Sequence, residues 1–179
     1  PTVTLTSSAS SIAENAGSSL TLTATLSTAT TANVTVGIST SGTGTEGTDY
    51  GTVSDITITA GQTTGTATFT PTDDSVYEGN ETGIIAIDTV TGGSATENGT
   101  QSVTLTINEN ESAPTVTLTS SASSIAENAG SSLTLTATLS VATTANVTVG
   151  ISTSGTGTEG TDYGTVSDIT ITAGQTTGT

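Results

Sequence analysis

A run of nine residues, 73–81 (DDSVYEGNE), carries four carboxylates, and the whole chain has no Lys, Arg or His to pair with them. Charges of one sign at this density need counter-ions if they are to lie together. Carboxylate and carbonyl oxygens suit Ca²⁺, whereas Zn²⁺ or copper calls for the Cys and His that this chain lacks. The spacing differs from the twelve-residue EF-hand loop, so the ligands must come from several loops. The run therefore predicts the centre of a multi-loop calcium site. The alternative is a solvated acidic turn between two strands.

The composition narrows the class of protein. The 179 residues include 16 acids and no Lys or Arg, a formal net charge of −16. Nucleic acids and anionic membranes are recognised through basic patches, so we expect neither as a partner. No apolar run is long enough to span a membrane. Because the chain begins at Pro1 rather than Met, we expect its true start to lie elsewhere.

An internal repeat organises the chain. Residues 1–66 recur as residues 114–179 with one change, Thr28 to Val141, so the period is 113 residues. We predict one complete repeat over residues 1–113 and a partial second repeat over residues 114–179. Near-identity of the copies indicates a tandem array, and we expect the chain to continue past Thr179 in the same repeat. Either following residues or an adjacent chain would then supply the equivalents of residues 67–113 that finish the second copy.

Within one repeat, apolar and polar residues alternate in a way that is typical of half-buried strands. Gly and Asn cluster between these segments, and no segment shows a helical period. The seven predicted strands are residues 2–6, 18–27, 33–40, 52–59, 64–70, 81–90 and 101–108. The alternation of apolar and polar residues is interrupted at Ser54 and Asp55, which predicts a bulge in the fourth strand.

Seven short strands in about a hundred residues, with polar outer faces, predict an all-β fold, a seven-strand antiparallel immunoglobulin-like β-sandwich. We expect the core to contain Val34, Val36, Ile38, Leu22, Phe69, Ile85 and Leu105. The core has few large side chains, with one Phe and two Tyr in the complete repeat. An ion that binds only the folded state would stabilise the repeat.

Four motifs make the repeat resemble the Calx-β family. They are residues 11–17 (SIAENAG), 47–50 (GTDY), 73–81 (DDSVYEGNE) and 106–111 (TINENE), in the order and at the spacing of that family. The resemblance covers the full 113-residue repeat. It implies a β-sandwich of the kind found in sodium–calcium exchanger regulatory domains, integrin β4 and large bacterial surface proteins.

The resemblance also implies a ligand set for Ca²⁺. Its members lie in four loops of the complete repeat: Glu14, Asp49, Asp73, Asp74, Glu78, Glu81, Glu109 and Glu111. The second copy contains only Glu127 and Asp162 of the corresponding acids, which cannot complete a site. Asn110 and Gly83 depart from the family pattern, the first where exchanger domains have another acid and the second where many members have Phe. We expect Gly83 to thin the core.

The remaining acids of the complete repeat, Glu46, Asp55, Asp88 and Glu97, are interpreted as ordinary surface charge. Eight carboxylates at one end of a sandwich would repel one another strongly unless cations lay among them. This count supports the calcium site independently of the resemblance.

Two functions from different classes fit the sequence. The first is a non-enzymatic, secreted or cell-surface structural array, whose repeats form a filament, stalk or matrix fibre stiffened by calcium, with further copies of the repeat as partners. The second is an adhesin or binding module that recognises a receptor or glycan. Loops of Gly, Ser and Thr in nearly identical copies favour the first. An enzyme is disfavoured because carboxylates are the only general acids or bases present and aromatic residues are few.

Overall fold

The computed structural model describes residues 1–179 and consists of strands and loops, with no helix. Two compact units are present. The first comprises Pro1–Asp74 and Gly79–Asn110, and the second comprises Ser75–Glu78 and Glu111–Thr179. Each unit contains its own buried apolar cluster.

Nine strands form the first unit. They are β1 (Thr2–Ser7), β2 (Ser11–Ala13), β3 (Leu20–Leu26), β4 (Val34–Gly42), β5 (Ile56–Ile58), β6 (Thr64–Phe69), β8 (Glu81–Thr91), β9 (Thr96–Glu97) and β10 (Ser102–Asn108). The intervening strand β7 (Val76–Tyr77) belongs to the second unit. One sheet has the strand order β6-β3-β1-β9 and the other has the order β2-β10-β8-β4-β5. The predicted all-β sandwich is therefore confirmed.

Two short strands were not predicted. β2 pairs parallel to β10, and β9 pairs parallel to β1, so the otherwise antiparallel sheets each gain a parallel edge. β2 and β9 contain three and two residues, too few for an alternation to show in the sequence.

Side chains that alternate along the strands fill the space between the sheets of the first unit. Six of the seven predicted core residues are fully buried: Leu22, Val34, Val36, Phe69, Ile85 and Leu105. The seventh, Ile38, is only partly buried. It follows a register shift between Gly37 and Ile38, which disturbs the alternation of β4 against β8.

The bulge was predicted in the wrong strand. Ser54 and Asp55 lie outside any strand, before β5, and the irregularity lies in β4 at Gly37 and Ile38. The Asp55 carboxylate accepts a hydrogen bond of 2.9 Å from the Ile38 backbone N–H. Asp55 is thus not ordinary surface charge, because it binds a donor beside the register shift.

Gly83 does not thin the core as expected. A Cβ atom at Gly83 would lie 2.8 Å from Cε2 of Phe69, so the Phe69 ring already occupies the space a larger residue would need. The Phe69 and Tyr50 rings pack with their centroids 4.6 Å apart. An aromatic pair therefore supplies the volume at this point of the core.

The second unit has fewer strands. They are β7 (Val76–Tyr77), β11 (Val116–Ser120), β12 (Leu135–Leu139), β13 (Ala142–Thr143), β14 (Val147–Val149), β15 (Ile169–Ile171) and β16 (Thr177–Gly178). They pair as β11-β12-β16, β14-β15 and β13-β7. The buried cluster of this unit is small: Ala137, Leu139, Ile169 and Ile171.

Candidate metal site

Glu14 is the one charged residue that the structure buries, with 6% of its surface exposed. It follows β2, whose last residue, Ala13, lies opposite Asn108 at the end of β10. The Glu14 backbone N–H continues this pairing with a 2.9 Å hydrogen bond to the Asn108 carbonyl. Parallel pairing therefore carries both strands to the same end of the sandwich, where Glu14 and Glu109 have carboxylate oxygens within 4.8 Å of each other.

Asp49 and Glu81 form a second close pair. Asp49 lies in the loop after β4, and Glu81 is the first residue of β8. Their carboxylate oxygens also lie within 4.8 Å of each other. The loop is held in place because the Asp49 carboxylate accepts a 2.6 Å hydrogen bond from the Thr45 N–H, and its carbonyl accepts one of 2.9 Å from the Thr72 N–H.

Backbone donors orient Glu109 and Glu14. The Gly79 N–H donates to Oε2 of Glu109 at 2.8 Å, and the Glu109 N–H donates to Oδ1 of Asn80 at 3.0 Å. The Asp74 N–H donates to Oε1 of Glu14 at 3.3 Å. Gly79 has φ +80°, a conformation that favours glycine. The acidic run thus uses its backbone as well as its side chains to fix the two glutamates.

Tyr50 and Gly44 lie beside the Asp49–Glu81 pair, and sequence reasoning did not assign either of them to the site. Tyr50 is almost fully buried, and burial raises its pKa, as do the nearby Glu46, Asp49 and Glu81. A Cβ atom at Gly44 would lie 3.3 Å from Oε2 of Glu81. The segment 41–44 (SGTG) indicated only a turn, since nothing in it marks the close approach of Gly44 to a distant carboxylate.

The four carboxylates of Glu14, Asp49, Glu81 and Glu109, hereafter the acidic cluster, interact electrostatically. The pKa of Glu81 is raised to about 7, first by desolvation, then by the charge and hydrogen bond of Asp49, and then by the charges of Glu14 and Glu109. The sequence has no basic side chain that could offset this repulsion. A proton on Glu81, or a cation among the four groups, relieves it.

The other predicted ligands differ in exposure. Asp73 and Asp74 are exposed at the end of the first unit's loop, while Glu78 and Glu111 are half-buried members of the second unit. Glu127 and Asp162 are exposed, and Asp162 accepts a 2.7 Å hydrogen bond from the Thr158 N–H, as Asp49 does from Thr45.

Two acids interpreted as ordinary surface charge have structural partners instead. Glu46 accepts hydrogen bonds from the Thr40 hydroxyl and, at 3.1 Å, from the Val53 N–H, so it joins β4 to the chain before β5. Glu97 accepts one from the Gln101 N–H. Acidity alone does not distinguish such acceptors from metal ligands, because both roles use the same oxygens.

The acidic cluster suits a hard divalent cation. Its donors are all carboxylate oxygens, one of its members is buried, and no protein cation balances it. Ca²⁺ takes six to eight oxygen ligands in flexible geometry, which carboxylates from four separate chain segments can provide together with water. The fold and the cluster together define a β-sandwich domain with a candidate cation site at one end.

The chain belongs to the Calx-beta family. The family's model, described as the Calx-beta domain, matches residues 1–111 and again residues 109–176, so the chain is a tandem of Calx-beta domains. The family resemblance inferred from the four motifs is confirmed. No curated protein sequence matches the chain.

Solved structures with similar folds are Calx domains. The CBD12 structure from CALX1.2 is 16% identical, with a TM-score of 0.50, over 94% of this chain and 70% of that one. The apo-form Calx CBD1 domain is 18% identical with a TM-score of 0.49, over 62% of this chain and 100% of that one. The calcium-binding domain CBD12 of CALX1.1 is 20% identical with a TM-score of 0.48, over 56% of this chain and 41% of that one. At 16% identity, the similarity to CBD12 from CALX1.2 supports the fold alone.

The structure contains no helix that is long enough and apolar enough to cross a membrane.

Proposed function

We propose that this chain binds Ca²⁺ at the acidic cluster of its first unit and serves as a non-enzymatic structural segment of an extracellular array of Calx-beta repeats. The observation that carries the proposal is the convergence of Glu14, Asp49, Glu81 and Glu109 in a chain without Lys, Arg or His. Asp73, Asp74, Glu78 and Glu111 remain predicted additional ligands.

A cation in the cluster would join four separate segments of the chain. Glu14 follows β2, Asp49 lies in the loop after β4, Glu81 begins β8, and Glu109 follows β10. Because Glu109 lies next to Asn110, the last residue of the first unit, an ion bound there restrains the chain where it leaves the sandwich. Pro114 restricts its own φ and the conformation of Ala113, which removes further freedom from the same segment.

Restraint at the exit of every repeat gives a mechanical function to the array. Without calcium, the carboxylates repel and the connecting residues gain freedom; with calcium, successive repeats hold a fixed direction. A filament, stalk or matrix fibre built in this way is stiff where calcium is plentiful and flexible where it is scarce. Extracellular calcium-binding modules work at dissociation constants of about 10⁻⁴–10⁻³ M, which suits a site with this function.

The absence of catalytic machinery is part of the same proposal. The ionisable side chains are carboxylates and three Tyr, and Tyr50 is buried under Phe69. The carboxylates of the acidic cluster fall in two close pairs, and the proposal assigns both pairs to cation binding.

Calorimetric titration of the full chain with CaCl₂ tests the binding step. We expect saturable binding that is weakened at least tenfold in the Glu14→Gln and Asp49→Asn chains. Asp88→Asn is the matched control, because Asp88 is exposed on β8 and removing its charge changes the net charge equally. Equal affinity in all four chains would show that calcium, if bound, does not use the acidic cluster.

A further inference from the structure

Glu46 closes the loop that carries Asp49. One oxygen of its carboxylate accepts a hydrogen bond from the hydroxyl of Thr40 on β4, and the other accepts one of 3.1 Å from the Val53 N–H. Thr40 precedes Asp49 in the chain and Val53 follows it, so a single side chain ties together two points on either side of this aspartate. Thr40, Glu46 and Val53 are hereafter the carboxylate clamp.

Asp49 is held by hydrogen bonds to the segment that the clamp closes. Its carboxylate accepts one of 2.6 Å from the Thr45 N–H, and its own N–H donates one of 2.9 Å to the Thr45 carbonyl. Thr45 directly precedes Glu46, so a displacement of Glu46 moves the residue on which the Asp49 carboxylate depends. The clamp therefore acts on the position of this carboxylate, whose oxygens lie within 4.8 Å of those of Glu81.

The same loop is attached to the core directly after Asp49. The next residue, Tyr50, is 1% exposed, and its ring packs against Phe69 with the centroids 4.6 Å apart. The Tyr50 carbonyl accepts a hydrogen bond of 2.7 Å from the Gly47 N–H, and Glu46 pairs with Tyr50 as an isolated bridge. Glu46 is thus joined to the buried part of the loop as well as to its two sides.

The second copy of the sequence forms the same arrangement. Glu159 accepts a hydrogen bond of 2.8 Å from the Thr153 hydroxyl and one of 3.0 Å from the Val166 N–H. Asp162 accepts one of 2.7 Å from the Thr158 N–H, so the aspartate of this loop is held in the same way. Each copy therefore folds into a carboxylate clamp around its own aspartate.

We propose that Glu46 is a positioning residue, which sets the Asp49 carboxylate for calcium through its two hydrogen bonds rather than through its charge. The inference rests on the proposed calcium function. Both Glu46 oxygens accept hydrogen bonds from protein donors, whereas Asp49 directs its carboxylate towards Glu81. Partners that orient a metal ligand in this way change metal affinity although they do not contact the ion.

A Glu46→Gln substitution separates the hydrogen bonds of this side chain from its charge. The amide oxygen can accept from the Val53 N–H, and the amide N–H can donate to the Thr40 hydroxyl, because a hydroxyl is both donor and acceptor. Glu46→Gln therefore keeps the clamp and removes the charge, whereas Glu46→Ala removes both. Thr40→Val removes one of the two hydrogen bonds and leaves the charge.

The test combines calorimetric titration of the full chain with CaCl₂ and hydrogen exchange in chelator. We expect Glu46→Ala to weaken calcium binding about tenfold, Thr40→Val to weaken it less, and Glu46→Gln to keep most of the wild-type affinity. In chelator, the Thr45 and Val53 amides should exchange faster in the Glu46→Ala chain and at nearly the wild-type rate in the Glu46→Gln chain. Glu159→Ala is the matched control, because it removes the same carboxylate and the same two hydrogen bonds from the loop that carries Asp162.

The control should bind calcium as the wild type does. Wild-type affinity in both the Glu46→Ala and Thr40→Val chains would overturn the proposal, and so would a loss in Glu46→Gln as large as in Glu46→Ala, since the charge would then be responsible. An equal loss in Glu159→Ala would overturn it as well. A wild-type chain that binds no calcium would overturn the proposed function instead. In that case faster exchange of the Thr45 amide in Glu46→Ala would still support the positioning of Asp49, and unchanged exchange would refute it.

Discussion

Asp49 and Glu81 hold their carboxyl groups against each other although they are 32 positions apart in the sequence. The burial of Glu81, then its contact with Asp49, and then the charges of Glu14 and Glu109 raise the pKa of Glu81 to about 7. A shared proton is one way to hold two such groups together, and a shared cation is another. On the proposed function, the pair should respond to both pH and calcium.

The stability of the calcium-free protein should depend on pH through Glu81. Its pKa in the folded state, about 7, exceeds the ordinary value of 4.5, so the folded state keeps a proton that the unfolded state releases. The stabilisation of the folded state by this proton is fully present below pH 4.5 and is lost as the pH rises through about 7. Thermal melts in chelator should give a lower midpoint at pH 8 than at pH 6.

Two comparisons check that Glu81 causes this pH dependence. In a Glu81→Gln chain, the melting midpoints at pH 6 and pH 8 should differ by less, because the amide does not titrate. In saturating calcium, the difference between the wild-type melting midpoints at pH 6 and pH 8 should shrink or reverse, since protons compete with the ion. A midpoint for the wild type in chelator that rises from pH 6 to pH 8 would contradict the role given to this pair.

Gly83→Ala should destabilise the first unit by about 1–3 kcal/mol, because the added methyl group forces the Phe69 ring to move. Denaturant unfolding measures the change. Gly51→Ala is the control, since its Cβ atom would meet only ordinary contacts, 3.9 Å from the nearest atom. Equal stability of the two variants would show that the space beside Phe69 is larger than the structure indicates.

Leu22→Asp should unfold the first unit, with a loss of more than about 4 kcal/mol, because Leu22 is fully buried and the charge would have no partner. The repeat offers its own control in Leu135, the half-buried counterpart in the second unit. Circular dichroism and hydrogen exchange should show a smaller loss for Leu135→Asp. A folded first unit in the Leu22→Asp chain would contradict the assigned core.

Asp55→Ala should expose the Ile38 N–H to exchange and cost about 1–3 kcal/mol, because the variant leaves a backbone donor beside the bulge without its acceptor. Asp168→Ala should act in the same way on Ile151 in the second unit, where the same 2.9 Å hydrogen bond is present. Asp88→Ala, on the surface of β8, should leave both amides unchanged in a hydrogen-exchange measurement.

The sequence was sufficient to predict the long strands and most of the core, because alternation over six or more residues marks a face, as in β3 and β10. It placed the bulge wrongly, since the slip at Ser54 and Asp55 reflects a side chain that reaches across to β4. The structural acceptors Glu46 and Glu97 could not be separated from free surface acids, because their partners are backbone donors whose positions depend on the tertiary fold.

The sequence predicted eight ligands in four loops at one end of the sandwich, but it did not predict the pairings that bring the members of the acidic cluster together. Glu14 and Glu109 meet because β2 pairs parallel with β10, and β2 is too short to be detected from alternation. The contributions of Gly44 and of the Gly79 N–H were likewise hidden, since the sequence does not show how closely a backbone approaches a distant carboxylate.

Small-angle X-ray scattering of the full chain in calcium and in chelator tests the central claim, that an ion in the acidic cluster restrains the chain leaving the first unit. We predict a narrower distribution of interatomic distances in calcium and a broader one in chelator. The Glu14→Gln chain should give the broader distribution in both. Identical wild-type distributions in the two solutions, under conditions where calorimetry shows calcium bound, would contradict the claim.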